Sequence, residues 1–322
     1  MFQLTEEIKG ARSIGISGHI RPDGDCVGSA MALYLYLQKI TEAGTEVSVY
    51  LEQPPETFGA IKGIEQIQTE ASEDKVYDVF FALDCEKSRL GFAEKLFEQA
   101  KKTINVDHHI SNLGCGRVNY VVPTASSTSE LIYDLLDKEQ MDRDIAMAIY
   151  TGIIHDTGVF QYSNTSPKTM RIAADLLEYG FDFSTLIEES FYQKTYWQNQ
   201  IMGRALLESI MFLDGRCIVG VIDRKTMDFY QVESKDMDGI VSQLRNIAGV
   251  DCAIFMYQTG TLEYKVSMRA NEKVNVAEVA SYFGGGGHAR AAGCTMKGTF
   301  HDCVNNLSLH IEKMLKASEK GA

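Results

Sequence analysis

The sequence predicts an α/β protein, with an N-terminal doubly wound parallel-sheet domain and a smaller C-terminal α/β domain. Three observations predict it. Short β-branched, apolar runs alternate with stretches that are apolar at helical spacing, the pattern of strand–helix–strand units over a parallel sheet. Several of the runs end abruptly in ionisable side chains. The chain has 322 residues, enough for two ordinary domains, and the pattern restarts after a mostly polar helical stretch around Trp197.

In chain order, a short helix near Leu4 to Lys9 precedes a first strand, Ser13 to Ser17. Pro22 and Gly24 then mark a loop, and Ser29 to Ile40 reads as a helix. His19, Asp23 and Asp25 therefore fall on a strand-to-helix loop. Two carboxylates two residues apart in a loop can point toward two different ions. One Asp could equally serve as an N-cap, which leaves His19 and the second Asp unexplained. Glu46 to Leu51 reads as a second strand, closed by Pro54-Pro55. Asp78 to Leu83 is nearly all apolar, as expected of a strand covered on both faces, and it ends in Asp84. Alone, Asp84 reads as a turn residue.

Glu94 to Ala100 looks helical and leads to the strand Thr103 to Val106, which ends in Asp107, His108 and His109. The carboxyl ends of strands face the ligand crevice of an open α/β sheet. Carboxylates and imidazoles there are metal ligands or acid/base groups. Ser127 and Glu130 have capping-box spacing before the helix Leu131 to Leu136, so the hydroxyls of this stretch read as structural. Asp142 to Ile154 is a helix that runs into His155-Asp156-Thr157-Gly158. Asp156 is the candidate ligand and His155 its neighbour. Lys168 to Tyr179 is a helix closed by Gly180.

The helical stretch 186–207 is expected to link residues 1–185 to residues 208–322, with Trp197 as a packing anchor between domains. In the second domain, Gly215 to Ile222 is a strand and Asp236 to Ile247 a helix. Cys252 to Tyr257 and Leu262 to Met268 pair around Thr259-Gly260, and Asn275 to Phe283 is a helix. Gly284 to Gly287 then lead into His288. Four glycines can be mere linker. In a folded context, the backbone N–H groups of Gly285, Gly286 and Gly287 could form an anion nest, with Arg269 and His288 beside it.

Composition narrows the function. Apolar residues make up 45% and charged residues 23%, so packed cores are expected. The longest apolar run, Ala30 to Leu37, is far short of a membrane span. The first residues lack a basic region and an apolar signal core, and the seven cysteines are scattered with no Cys-x-x-Cys. A reduced, cytoplasmic protein without membrane contact is expected. The net charge of −13 argues against gripping long nucleic acid, while a very short polyanion could still bind a local basic pocket.

The motifs His19-x-x-x-Asp23-x-Asp25-x-x-Gly28, Asp84 after a strand, Asp107-His108-His109 and Asp156-Thr157-Gly158 resemble the DHH phosphoesterase superfamily. The second half is similar to the DHH-associated domain of the first type, through Ser267-Met268-Arg269 and Gly285-Gly286-Gly287-His288. The resemblance covers nearly the whole chain and points to the nanoRNase and phosphoadenosine-phosphate phosphatase branch. It implies an active site in the cleft between the two domains. One ion would take His19, Asp23 and Asp84, and the other Asp25, Asp84, His108 and Asp156. Mn²⁺ would suit this donor mix, with Mg²⁺ or Co²⁺ as alternatives. His109 would contact the phosphate or leaving oxygen, and Asp107 would orient His108. Arg269, His288 and Gly285 to Gly287 would hold the far end of the substrate. The expected substrates are oligoribonucleotides of a few residues, pApA, and 3′-phosphoadenosine 5′-phosphate (pAp). Cyclic or linear di-adenylates, a manganese pyrophosphatase and a non-catalytic nucleotide sensor are the alternatives, and a homodimer is possible.

Overall fold

The structure is a computed structural model that describes residues 2–72 and 75–320. The chain divides into two compact units, Met1–Gln193 and Lys194–Ala322. In the first unit, the strands β1 (Ser13–Ser17), β2 (Glu46–Tyr50), β3 (Val79–Leu83), β4 (Lys102–Asp107) and β5 (Val118–Val121) form one sheet. Their order is β2-β1-β3-β4-β5, and every pair is parallel. The helices are α1 (Leu4–Glu7), α2 (Gly24–Ile40), α3 (Glu94–Gln99), α4 (Thr128–Leu135), α5 (Arg143–Asp156), α6 (Pro167–Leu177) and α7 (Phe183–Ile187).

Alternation along β3 shows how the sheet is covered. Val79, Phe81 and Leu83 join the core under α2, α4 and α5, while Phe80 and Ala82 join a second core with Leu96 and Phe97 of α3. A strand buried on both faces must read as continuous apolar sequence. α2 and α5 pack backbone to backbone: a Cβ on Gly28 would lie 2.5 Å from the Ala148 carbonyl. In a sheet of this order, the chain leaves β1 and β3 in opposite directions, and the crevice opens between their carboxyl ends.

The second unit holds α8 (Tyr196–Leu207), β6 (Ile210–Phe212), β7 (Cys217–Ile222), α9 (Arg224–Tyr230), α10 (Ile240–Arg245), β8 (Cys252–Gly260), β9 (Glu263–Ala270), α11 (Val276–Tyr282), β10 (Gly286–His288), β11 (Ala291–Lys297) and α12 (Phe300–Lys320). Its sheet runs β10-β11-β9-β8-β7-β6, parallel between β7 and β8 and antiparallel elsewhere. One face packs on α11 and α12 and the other on α8 and α10.

Several expectations are corrected. Asp25 does not sit in a loop: α2 begins at Gly24 and is capped by Asp23, whose Oδ1 accepts from the Asp25 and Cys26 N–H groups. The capping reading of Asp23 is therefore real as well. The stretch Tyr196–Leu207 is no free connector, because Ile201 and Ala205 are buried in a core of the second unit. Trp197 is half-exposed, with its ring edge-on to Tyr196 and Tyr230 of that same unit. Half of the glycine stretch, Gly286 and Gly287, is not in a loop. Gly286–His288 is an exposed edge strand paired with Ala291–Gly293, so no concave nest of successive N–H groups forms there. A Cβ on Gly287, whose φ is +143°, would lie 2.5 Å from the Ala291 carbonyl, so close strand approach explains that glycine. Among the described residues, no helix is long and apolar enough to cross a membrane.

Candidate metal centre

The carboxyl edge of the first sheet carries the candidate residues. His19 follows β1, Asp84 follows β3, and Asp107 ends β4 with His108 and His109 beyond it. The first two flank the crevice that the strand order creates. Asp25 enters from the first turn of α2, and Asp156 from the last turn of α5.

These side chains converge. His19 Nε2 lies 3.6 Å from Asp23 Oδ1 and 3.4 Å from Asp84 Oδ2. His108 Nε2 lies 3.0 Å from Asp156 Oδ2, 3.6 Å from Asp84 Oδ1 and 3.9 Å from Asp25 Oδ2. Donor atoms fall within 4.8 Å of one another in three overlapping groups: His19, Asp23 and Asp84; Asp25, His108 and Asp156; Asp84, His108 and His109. Asp84 belongs to two of the groups and faces both sides, one oxygen toward His19 and the other toward His108. Its backbone is unusual for a residue with a side chain, at φ +58°. That is the left-handed region, which Asp and Asn tolerate better than most.

The imidazoles are oriented from behind. His19 Nδ1 lies 2.9 Å from the Ile20 carbonyl and His108 Nδ1 3.3 Å from the Ala125 carbonyl. A carbonyl only accepts, so each Nδ1 carries the proton and Nε2 faces the carboxylates. Metal-bound imidazoles are characteristically held this way. His109 differs: its Nδ1 donates to Asp107 Oδ1 at 2.7 Å. Asp107 was expected to orient His108. Its side chain orients His109 instead and accepts the backbone N–H of both histidines.

Burial and close packing set the electrostatics of the cluster. Burial pushes the Asp25 carboxyl well up, helped by the nearby charges of Asp84 and Asp156. Burial likewise raises Asp156, against the pull of His108. For the His19 imidazole burial is the largest influence and works downward, yet the hydrogen-bonding carboxylates of Asp23 and Asp84 hold it up at about 10. His108 is held at about 10 in the same way, against burial, by Asp156, Asp25 and Asp84. Without a cation, acids packed this tightly must keep protons among them. A divalent cation can displace those protons. The site therefore suits cations by chemistry as well as by spacing.

Residues outside the sequence reading complete the site. Asn112 Nδ2 donates to Asp107 Oδ2, to Asn105 Oδ1 at 3.0 Å and to the Cys85 carbonyl at 3.1 Å. Asn105 Nδ2 in turn donates to the Ala82 and Cys85 carbonyls, 3.0 Å each. This buried amide pair ties the His109 loop to the end of β3. His155 stands apart from the cluster, its ring edge-on to Phe58 and Phe191.

In the second unit, strand register sets Arg269 and His288 in one row. His288 pairs with Ala291, and Ala291 pairs with Arg269. Directly opposed residues point to the same face of a sheet. Arg269 and His288 therefore flank a small alanine, roughly two strand spacings or about 10 Å apart.

Fold and site together define a doubly wound α/β domain with a carboxylate–imidazole cluster at its strand-order switch, followed by a mixed-sheet companion. The DHH family N-terminal domain matches residues 13–153, and the DHHA1 domain matches residues 214–319. The chain is 30% identical over 290 residues to the bifunctional oligoribonuclease and PAP phosphatase NrnA of Thermus thermophilus, covering 88% of this chain and 84% of that protein. It is 25% identical to the Bacillus subtilis protein of the same name, covering 86% and 87%. An exopolyphosphatase-related protein from Bacteroides fragilis shares the fold with a TM-score of 0.89 at 24% identity, covering 98% of this chain and 96% of its own. The chain belongs to the DHH family of phosphoesterases.

Proposed function

We propose that this chain hydrolyses very short oligoribonucleotides, such as pApA, to nucleoside monophosphates and pAp to AMP, with two divalent cations. The observation that carries the reading is the convergence of four carboxylates and three imidazoles at one sheet edge. His19, Asp23 and Asp84 would hold one cation, and Asp25, Asp84, His108 and Asp156 the other. Imidazole among the donors suits Mn²⁺ at least as well as Mg²⁺, and Co²⁺ is compatible. Two such cations supply charge neutralisation for a phosphate and a water acidic enough to attack it near neutral pH.

The chain's own residues do the rest. Asp107 holds the His109 ring through Nδ1, and this hydrogen bond raises the His109 pKa despite the opposing effect of burial. His109 would then donate to the leaving oxygen. Arg269 and His288 hold a second phosphate or the far nucleoside, with the Gly286–His288 edge strand beside them. The names of the Thermus and Bacillus relatives support these substrates, and the net charge of −13 supports short ones over long. Catalysis in the cytoplasm fits the scattered, unpaired cysteines.

The test is to incubate the purified chain with Mn²⁺ and pApA, pAp or pyrophosphate and follow AMP and phosphate. We expect AMP from pApA and from pAp, loss of both on chelation, and little phosphate from pyrophosphate. Rapid turnover of pyrophosphate alone would overturn the reading.

A further inference from the structure

The hydroxyl-rich stretch before α4 does more than cap a helix. Capping is done by Ser127, whose hydroxyl accepts from the Glu130 N–H. The Glu130 carboxylate does not complete the box; it accepts from Ser126 and Thr169. Thr128 is the first residue of α4 and is fully buried. Its N–H donates to Asp25 Oδ2 at 2.6 Å, and the Ser129 N–H donates to Asp25 Oδ1 at 2.8 Å. Its hydroxyl donates to Asp84 Oδ1 at 3.0 Å. One residue thus touches the two most deeply buried carboxylates of the cluster, Asp25 at 0% and Asp84 at 2% exposed.

The two contacts make different demands on sequence. Any residue but proline could supply the N–H. Only serine or threonine could supply a short hydroxyl at that point, and the helix itself has no use for it. Asp84 does have a use for it. Its oxygens face opposite ways, Oδ1 toward His108 and His109 at 3.6 Å each and Oδ2 toward His19 at 3.4 Å. A carboxylate that serves two cations must keep its plane, since a turn about its last bond takes both oxygens off their targets. An imidazole that gives its Nε2 lone pair to a cation no longer donates there. The Thr128 hydroxyl remains as a donor in either condition.

We infer that Thr128 is a positioning residue for the two-cation centre, its hydroxyl fixing the plane of Asp84 while its N–H fixes Asp25. This rests on the two-cation reading above. Partners that orient metal ligands typically matter 10- to 100-fold in metal affinity. The experiment compares Thr128→Val, which keeps the shape and removes the hydroxyl, with Thr128→Ser, which keeps the hydroxyl and removes the methyl. Mn²⁺ binding is read by electron paramagnetic resonance of the free ion, thermal melting in chelator, and kcat and KM on pApA at saturating Mn²⁺.

The valine variant should lose about 10- to 100-fold in Mn²⁺ affinity for at least one ion. It should lose kcat with little change in KM and melt near the wild type in chelator, whereas serine should stay close to wild type in affinity. Wild-type affinity in the valine variant would overturn the inference, and so would a serine variant as weak as valine. If valine prevents folding, Thr128→Ala takes its place against serine with the same outcomes. A wild-type chain that binds no Mn²⁺ would sink the two-cation reading itself.

Discussion

Asp84 carries the largest burden of any single side chain. It faces both halves of the cluster, and its left-handed backbone is one that few residues accept without strain. An alanine there would confound lost chemistry with backbone strain. Asn keeps the shape and tolerates the conformation. Asp84→Asn should therefore fold and melt like the wild type but lose about a thousandfold or more in turnover of pApA, as expected if Asp84 is shared between two cations. More than a tenth of the activity left under saturating Mn²⁺ would contradict its central place. Asp107 at the end of β4 and Asp156 at the end of α5 are legible in sequence because each ends an apolar run or a helix, whereas Asp84 alone reads as a turn residue and stands out only through the motifs it shares with the family. Thr128 and Asn112 are not legible. A threonine at the start of a helix and an asparagine two residues before a glycine read as caps and turns, and their work depends on partners distant in sequence.

Elements with two buried faces were legible for a related reason. Val79 to Leu83 has apolar residues on both sides of the sheet, and nothing but a central strand explains such a run. The edge strands β5, β6 and β10 were not. β10 is Gly-Gly-His, with no β-forming side chain, and pairing with β11 alone makes it a strand. That pairing aligns His288 with Arg269 across Ala291, and it carries a prediction. Arg269→Ala and His288→Ala should each cut kcat/KM strongly on pApA, because binding energy far from the reacting phosphate aligns it. They should do so far less on bis-p-nitrophenyl phosphate, which lacks a second handle, and bound Mn²⁺ should not change. Equal losses on both substrates with a lowered Tm would mean that the pair only holds the sheet edge.

At the scale of the whole molecule, charge sets the partner. A net charge of −13 opposes the counterion release that drives binding to long nucleic acid. In gel shifts from two to twenty nucleotides, affinity should stop rising after the first few. A steady climb with length would contradict the preference for short substrates.

The candidate ligands are scattered from His19 to Asp156 along the chain, yet all belong to one unit and meet within a few ångströms. A cation bound there would act as a reversible cross-link, tying the ends of β1, β3 and β4 to α2 and α5 without a covalent bond. By mass action it would favour the native unit by about 2.7 kcal/mol at a free concentration a hundred times its Kd. Starving the cell of that cation would then cost more than turnover: it would remove this cross-link and loosen the unit, exposing it to proteolysis.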